Sequence, residues 1–171
     1  MRQSITPHES RNWMDQDRAV ERRMSPGSIW VEPDPYARLM IVRRTAAERR
    51  VQQINARGRT PRVCLYLLAV GGQAPPRSLS AAQSFAEEQG WHVATKCYTD
   101  CPSATGPMPR PGWDTVRRQI RAGYVDGVVA LTHASISPEF GAYEQQLTWF
   151  AEHFGFIALV TPESESAAGQ P

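Results

Sequence analysis

The run Arg110-Pro111-Gly112-Trp113 leads through an amphipathic stretch to Gly123-Tyr124-Val125-Asp126-Gly127-Val128-Val129-Ala130. Trp113, Val116 and Ile120 recur at helical spacing, so the segment 113–122 reads as a helix closed by Gly123. The apolar run 127–131 that follows reads as a strand buried on both faces. Upstream, Asp100 lies just beyond a second strand, 92–98, and the loop 99–112 between them holds four prolines and two glycines. Loop, helix and buried strand in that order are the unit of a parallel sheet.

The same alternation extends in both directions. Residues 63–70 form a continuous apolar strand, and Gly71-Gly72-Gln73-Ala74-Pro75-Pro76 is a loop. Ser80-Ala81-Ala82-Gln83 has capping-box form and predicts a helix ending near Gly90. Downstream, Ser137 is the expected cap of a helix with Pro138 at its first position and Glu139 near its positive end. Phe140, Tyr143, Leu147, Phe150 and Phe154 form its apolar stripe, Gly155 ends it, and 156–160 is a fourth strand. The predicted fold is therefore α/β, a mostly parallel four-stranded sheet with helices on both faces in the doubly wound manner, preceded by a helical N-terminal segment. The sheet domain spans 62–161, and 162–171 reads as a disordered tail.

The segment 1–61 differs in character. A short helix is predicted over 10–23, broken by Ser25-Pro26-Gly27-Ser28 and Glu32-Pro33-Asp34-Pro35. A longer helix covers 36–56, with Met40, Ala47, Val51 and Ile54 on one face. Arg43, Arg50 and Arg57 line an adjoining stripe at seven-residue spacing, as the wet edge of a packed helix or as a DNA-contacting one. Gly58-Arg59-Thr60-Pro61 reads as the linker between the two parts. Residues 1–62 hold 13 arginines against 7 acidic residues, whereas 63–171 hold 6 basic residues against 10 acidic ones. A basic arm of this kind can bind phosphate backbones with a steep salt dependence, or be a solvated leader.

The 171-residue chain, 41% hydrophobic, is long enough for a real core. It has no apolar run of membrane-spanning length and no apolar stretch behind its first residues, so neither a membrane partner nor secretion is expected. A cytoplasmic, bacterial setting is the default. Cys64, Cys97 and Cys101 are too few and wrongly spaced for a disulfide framework or a zinc site, even with His92 nearby. No metal and no cofactor are expected. His8, His92, His133 and His153 have no serine or aspartate constellation in sequence, but His133 belongs to the strand end where doubly wound folds bind ligands. Gly71-Gly72 lacks the pattern of a phosphate loop, and Pro75-Pro76 removes two backbone donors.

Asp100, Arg110-Pro111-Gly112 and the Gly-x-Val-Asp at 123–126 together resemble the catalytic domain of the serine recombinases, over about residues 62–161. The resemblance implies a resolvase-like fold and a reaction in which a serine hydroxyl attacks a DNA phosphodiester while arginines neutralise the phosphate. In that family the first strand ends in Tyr-x-Arg-Val-Ser. With Tyr66 as the tyrosine, the arginine falls on Leu68 and the nucleophile on Val70; shifted registers give Ala69 and Gly71, or Val70 and Gly72. No serine lies between Thr60 and Arg77. Gln83, Asp100 and Arg110 match the family's glutamine, aspartate and Arg-Pro-Gly arginine. The family's Asp-Arg-Leu-Ser-Arg falls on Ala134-Ser135-Ile136-Ser137-Pro138, which lacks the acid and both arginines.

The resulting expectation is a domain with no catalytic residue, in which Gln83, Asp100 and Arg110 are vestigial. It would act as a DNA-associated or protein-interaction module, with Arg43, Arg50 and Arg57 as the DNA-binding candidates and a protein partner or homodimer as the alternative contact. A small-molecule or nucleotide-binding doubly wound domain is the second reading. An active recombinase with a displaced nucleophile such as Ser135 or Ser137 is the third. A salt bridge between Arg110 and Asp100 is one expected use of the surviving pair.

Overall fold

The computed structural model describes residues 34–102 and 110–167. Helix α1, Pro35–Ala56, comes first, and strand β1 is Arg62–Leu68. Helix α2, Pro76–Glu88, leads to β2, His92–Asp100. Helix α3, Pro111–Arg121, leads to β3, Gly127–Ala130. A single turn, α4 at His133–Ile136, and the longer α5, Phe140–Glu152, precede β4, Phe156–Leu159, and a short α6, Glu163–Ala167, follows. The helix expected over 10–23, the breaks at 25–28 and 32–33, much of the 99–112 loop and the last four residues lie outside the described residues.

The sheet is parallel throughout, in the order β2-β1-β3-β4. Side chains alternate across it as strand geometry requires. Cys64, Tyr66, Val128 and Ile157 meet α3 and α5 on one face, while Val63, Leu65, Val129 and Ala158 meet α2 on the other. The central strands β1 and β3 are buried on both faces, which explains their unbroken apolar sequences. Each buried valine or leucine there contributes roughly 1.5–3 kcal/mol. Strand β2 forms one edge, where the pairing steps from Val63↔Val93 to Leu65↔Cys97. This bulge and the exposed Thr95 and Lys96 blunt the edge against further pairing.

The other edge is covered by α1, and here the structure departs from the sequence reading. The boundary placed at 58–61 does not separate α1 from the sheet, because the compact unit begins at Asp34. Helix α1 packs along β4, with Leu39 in the core of one face and Ile54 in that of the other. Covering an edge strand is reason enough to recruit a helix from outside the alternating pattern. Nor does order stop at residue 161, since α6 carries the fully buried Glu163.

Three local readings are also corrected. Helix α2 begins a turn before Ser80, with proline in its first turn, so the expected capping box is mid-helix. Ser137 does not open the long helix. Thr132 caps α4, and Ser137 Oγ accepts from the N–H of Glu139 and donates to its carbonyl, both ahead of α5. Phe154 leaves the apolar stripe: it lies beyond α5, is exposed, and takes a left-handed φ of 56°, so the helix ends before Gly155.

Candidate functional site

In an open parallel sheet, ligand chemistry collects at the carboxyl ends of the strands, at the point where the strand order reverses. Here that point lies between β1 and β3. Asp100, Tyr66 and Arg110 meet beside it.

Asp100 ends β2, and its buried carboxylate receives three donors. Oδ1 accepts from Gly112 N at 2.8 Å, and Oδ2 accepts from Trp113 N at 2.8 Å and from Tyr66 Oη at 3.0 Å. The first N–H groups of a helix have no partner within it, so a carboxylate placed there satisfies them and meets the positive end of the helix dipole. Burial pushes the Tyr66 hydroxyl up, as does the Asp100 charge, while Arg110 pulls it the other way; Tyr66 therefore remains a protonated donor. Gly112 is required by close approach, because a Cβ there would lie 2.7 Å from Thr99 O and 2.9 Å from Asp100 Oδ2.

Arg110 is 5% exposed and donates from Nη1 to the carbonyls of Ser135 at 2.8 Å and Ile136 at 3.0 Å. It thus fastens the start of α3 to α4. The expected salt bridge to Asp100 does not form; the two groups are related through Tyr66. Arg-Pro-Gly is thus accounted for locally, with Arg110 as a strut, Pro111 as a helix start and Gly112 as a close contact. The structure brings Asp100 and Arg110 together and leaves Gln83 apart. Gln83 is exposed on α2 and donates to Glu87 Oε1 at 2.9 Å.

The chain after β1, where the resemblance would put the nucleophile, closes in a two-residue hairpin. Val70 N donates to Gln73 O at 2.9 Å and Gln73 N to Val70 O at 3.3 Å, with Gly71 and Gly72 at φ 62° and 82°. Two successive left-handed residues are what such a turn demands, and glycine adopts them without strain. No hydroxyl lies in 69–73. Ser135 and Ser137 are buried, with Ser135 Oγ 3.2 Å from Thr132 Oγ1. His133 is buried against the rings of Tyr36 and Tyr143 at 4.6 and 5.6 Å. Burial lowers its pKa, with Glu163 and Asp34 pulling it back up.

The arginine stripe of α1 does not form one wet edge. Arg43 is buried in an ion pair with Glu163, Nε to Oε1 at 2.7 Å and Nη2 to Oε2 at 2.9 Å, and Tyr143 Oη donates to Oε1 at 2.8 Å. Arg50 turns toward Asp126, at 3.8 Å. Arg57 alone of the three is exposed. Sequence patterning gave no sign of Glu163, whose partner is 120 residues away. Nor did it single out Arg59 and Arg62, which also converge on Asp126.

Among the described residues, no three His, Cys, Asp or Glu side chains come together to hold a metal ion. Burial pushes the Cys64 thiol up to about 12 and raises that of Cys97, so neither is a ready nucleophile. No described helix is long and apolar enough to cross a membrane.

Solved structures carry the same fold. The N-terminal catalytic domain of TP901-1 integrase superposes with a TM-score of 0.50 at 21% identity, over 57% of this chain and 76% of that one. The C-terminal catalytic domain of ISC1926 TnpA, an IS607-like serine recombinase, gives 0.51 at 16% identity, over 63% and 75%. No protein-family model and no curated protein matches the sequence. The α/β domain therefore has the fold of serine recombinase catalytic domains, as Asp100 and Arg110-Pro111-Gly112 implied.

Proposed function

We propose that this protein is a serine-recombinase-like domain without strand-transfer chemistry, acting as a DNA-associated module. The observation that carries the reading is Arg110. The one motif arginine that survives has its guanidinium buried and bonded to the carbonyls of Ser135 and Ile136. A phosphate in the transition state needs such charges free and aimed at it. Losing one such donor costs roughly 10²–10³ in rate. Against the family pattern, this chain lacks the nucleophile and three arginines.

The DNA half of the reading rests on the basic balance of residues 1–62 and on exposed arginines such as Arg57. The two structural relatives, named as an integrase and a recombinase, point the same way. Arg43 leaves the list of DNA contacts because it is buried against Glu163, and Arg50 because its side chain is only 17% exposed. A cytoplasmic setting goes with this reading, and a protein partner or second copy is the alternative contact. Nothing in the 70–73 hairpin favours a nucleotide site.

The test is equilibrium binding of the full chain to DNA across a salt series. Each neutralised phosphate on duplex contributes about 0.9 to the log–log slope. Binding that weakens with a slope of several units is the expected result. Absence of binding at low salt would remove DNA from the reading and leave the protein-partner form of it.

A further inference from the structure

The turns that feed the strands gather at the end of the sheet opposite Asp100 and Arg110. Arg62 is paired with His92, Asp126 N donates to Arg62 O, and Phe156 N donates to Asp126 O. The strand order β2-β1-β3-β4 therefore sets His92, Arg62, Asp126 and Phe156 in a row, with neighbours about 4.8 Å apart.

Two kinds of side chain stand out along this row. The first is a surplus of guanidinium. Arg59 Nη2 lies 3.1 Å from Asp126 Oδ1, Arg62 Nε 3.7 Å from Oδ2, and Arg50 Nη2 3.8 Å from Oδ1, so one carboxylate faces three cations. The side chains of Arg59 and Arg62 are 45% and 42% exposed, and Arg57 is exposed beside them. The Nε donors of Arg50 and Arg62 are buried without a hydrogen-bond partner, while Arg62 Nη2 donates to the Gly123 carbonyl at 2.8 Å. A shallow depression lined by Thr60, Arg62, Gly90, Trp91 and His92 continues the cationic end of the row.

The second is exposed aromatic surface. Tyr124, in the α3–β3 turn, is 66% exposed, and Phe154, in the α5–β4 turn, is 71% exposed. Phe154 also holds a φ of 56°, which a bulky L-residue adopts only at a cost. The neighbouring glycine is not free to relieve it, because a Cβ at Gly155 would lie 2.7 Å from Ile120 Cγ2. Neither backbone geometry nor packing calls for phenylalanine at 154, and its ring faces water.

We propose that this amino edge is a binding site for single-stranded DNA, with Arg57, Arg59 and Arg62 on phosphates and Tyr124 and Phe154 stacked on unpaired bases. Cationic side chains beside free aromatic faces are what a single strand requires, since its bases are open to stacking and those of a duplex are not. Three strand spacings come to about 14 Å, so the row is long enough for a strand of only a few nucleotides. The proposal rests on the DNA-associated reading above and gives it a face and a strand form.

The experiment measures anisotropy of labelled oligo-dT and of a blunt duplex of equal length, over a salt series, with the full chain. The expected result is preferential binding of the single strand. Tyr124→Ala with Phe154→Gly should weaken that binding by ten- to a hundredfold at an unchanged salt slope, with a melting temperature no lower than that of the parent. Arg57→Gln should lower the slope by about 0.7, one phosphate's worth on a single strand. Single-strand affinity untouched in the Tyr124/Phe154 variant overturns the proposal. So does duplex bound as tightly as single strand with no effect of either change, although the DNA-associated reading then stands. Failure of the parent chain to bind either DNA overturns both.

Discussion

Arg43 and Glu163, 120 residues apart in sequence, meet in a two-pronged ion pair buried at 6% and 0% exposure. The contact joins α1, which precedes the sheet, to α6, which follows it, and Tyr143 of α5 completes it. Segments at both ends of the alternating pattern are thereby bound into one structure.

Removing one partner of this pair is expected to be far worse than removing both. Arg43→Met or Glu163→Leu alone leaves an uncompensated buried charge and should cost about 3–5 kcal/mol. The double change Arg43→Met/Glu163→Leu should recover much of that loss. Urea denaturation of the three variants and the parent checks this through the coupling energy.

Acid should weaken the fold in two stages of the same sign. Burial lowers the folded-state pKa of His133, so its contribution is full above the unfolded value near ~6.5 and is lost as the pH falls below it. Burial pushes the Glu163 carboxyl up, but the bonds and charge of Arg43, with the Tyr143 hydroxyl, outweigh that and hold it below the usual range. Its contribution is present above ~4.3 and is lost as the pH falls through the folded value. Melting temperature recorded from pH 8 to 3 should fall in both windows. His133→Phe should flatten the upper one and Glu163→Gln the lower.

The Asp100 cluster is expected to respond as a structural joint. Gly112→Ala forces a Cβ against Thr99 O and should destabilise by at least about 2 kcal/mol. Tyr66→Phe removes one donor to a buried carboxylate and should cost about 1.5–3 kcal/mol. Thermal denaturation of each variant measures the loss.

Arg110→Ala strips the carbonyls of Ser135 and Ile136 of their donor. It should destabilise by about 1–3 kcal/mol for each carbonyl left unsatisfied. Its effect on DNA affinity should be small in chains that remain folded, because the side chain is buried. A denaturation curve and a binding curve for the same sample separate the two effects.

Periodicity and punctuation carried most of the α/β domain. The buried runs of β1 and β3 and the stripes of α3 and α5 are local patterns, and local patterns are legible. Three things were not. Arg43 has the composition of a surface residue and is buried only because Glu163 awaits it from the far end of the chain. Phe154 continues the stripe of α5 in spacing, but the helix has ended and Gly155 is reserved for contact with Ile120. Asp100 and Arg110 were found by motif, but a motif does not say whether a charge faces a substrate or a backbone carbonyl. That distinction is made by α4, a single turn of helix with almost no sequence signature.

The most direct measurement is the trapping of a covalent protein–DNA adduct. The full chain is incubated with nicked or gapped DNA at saturating concentration and resolved under denaturing conditions. DNA should be bound but no adduct should form, because no serine lies between Thr60 and Arg77 and Arg110 is buried against Ser135 and Ile136. A phosphoserine-linked adduct, mapped to Ser135, Ser137 or any other serine, would contradict the absence of strand-transfer chemistry.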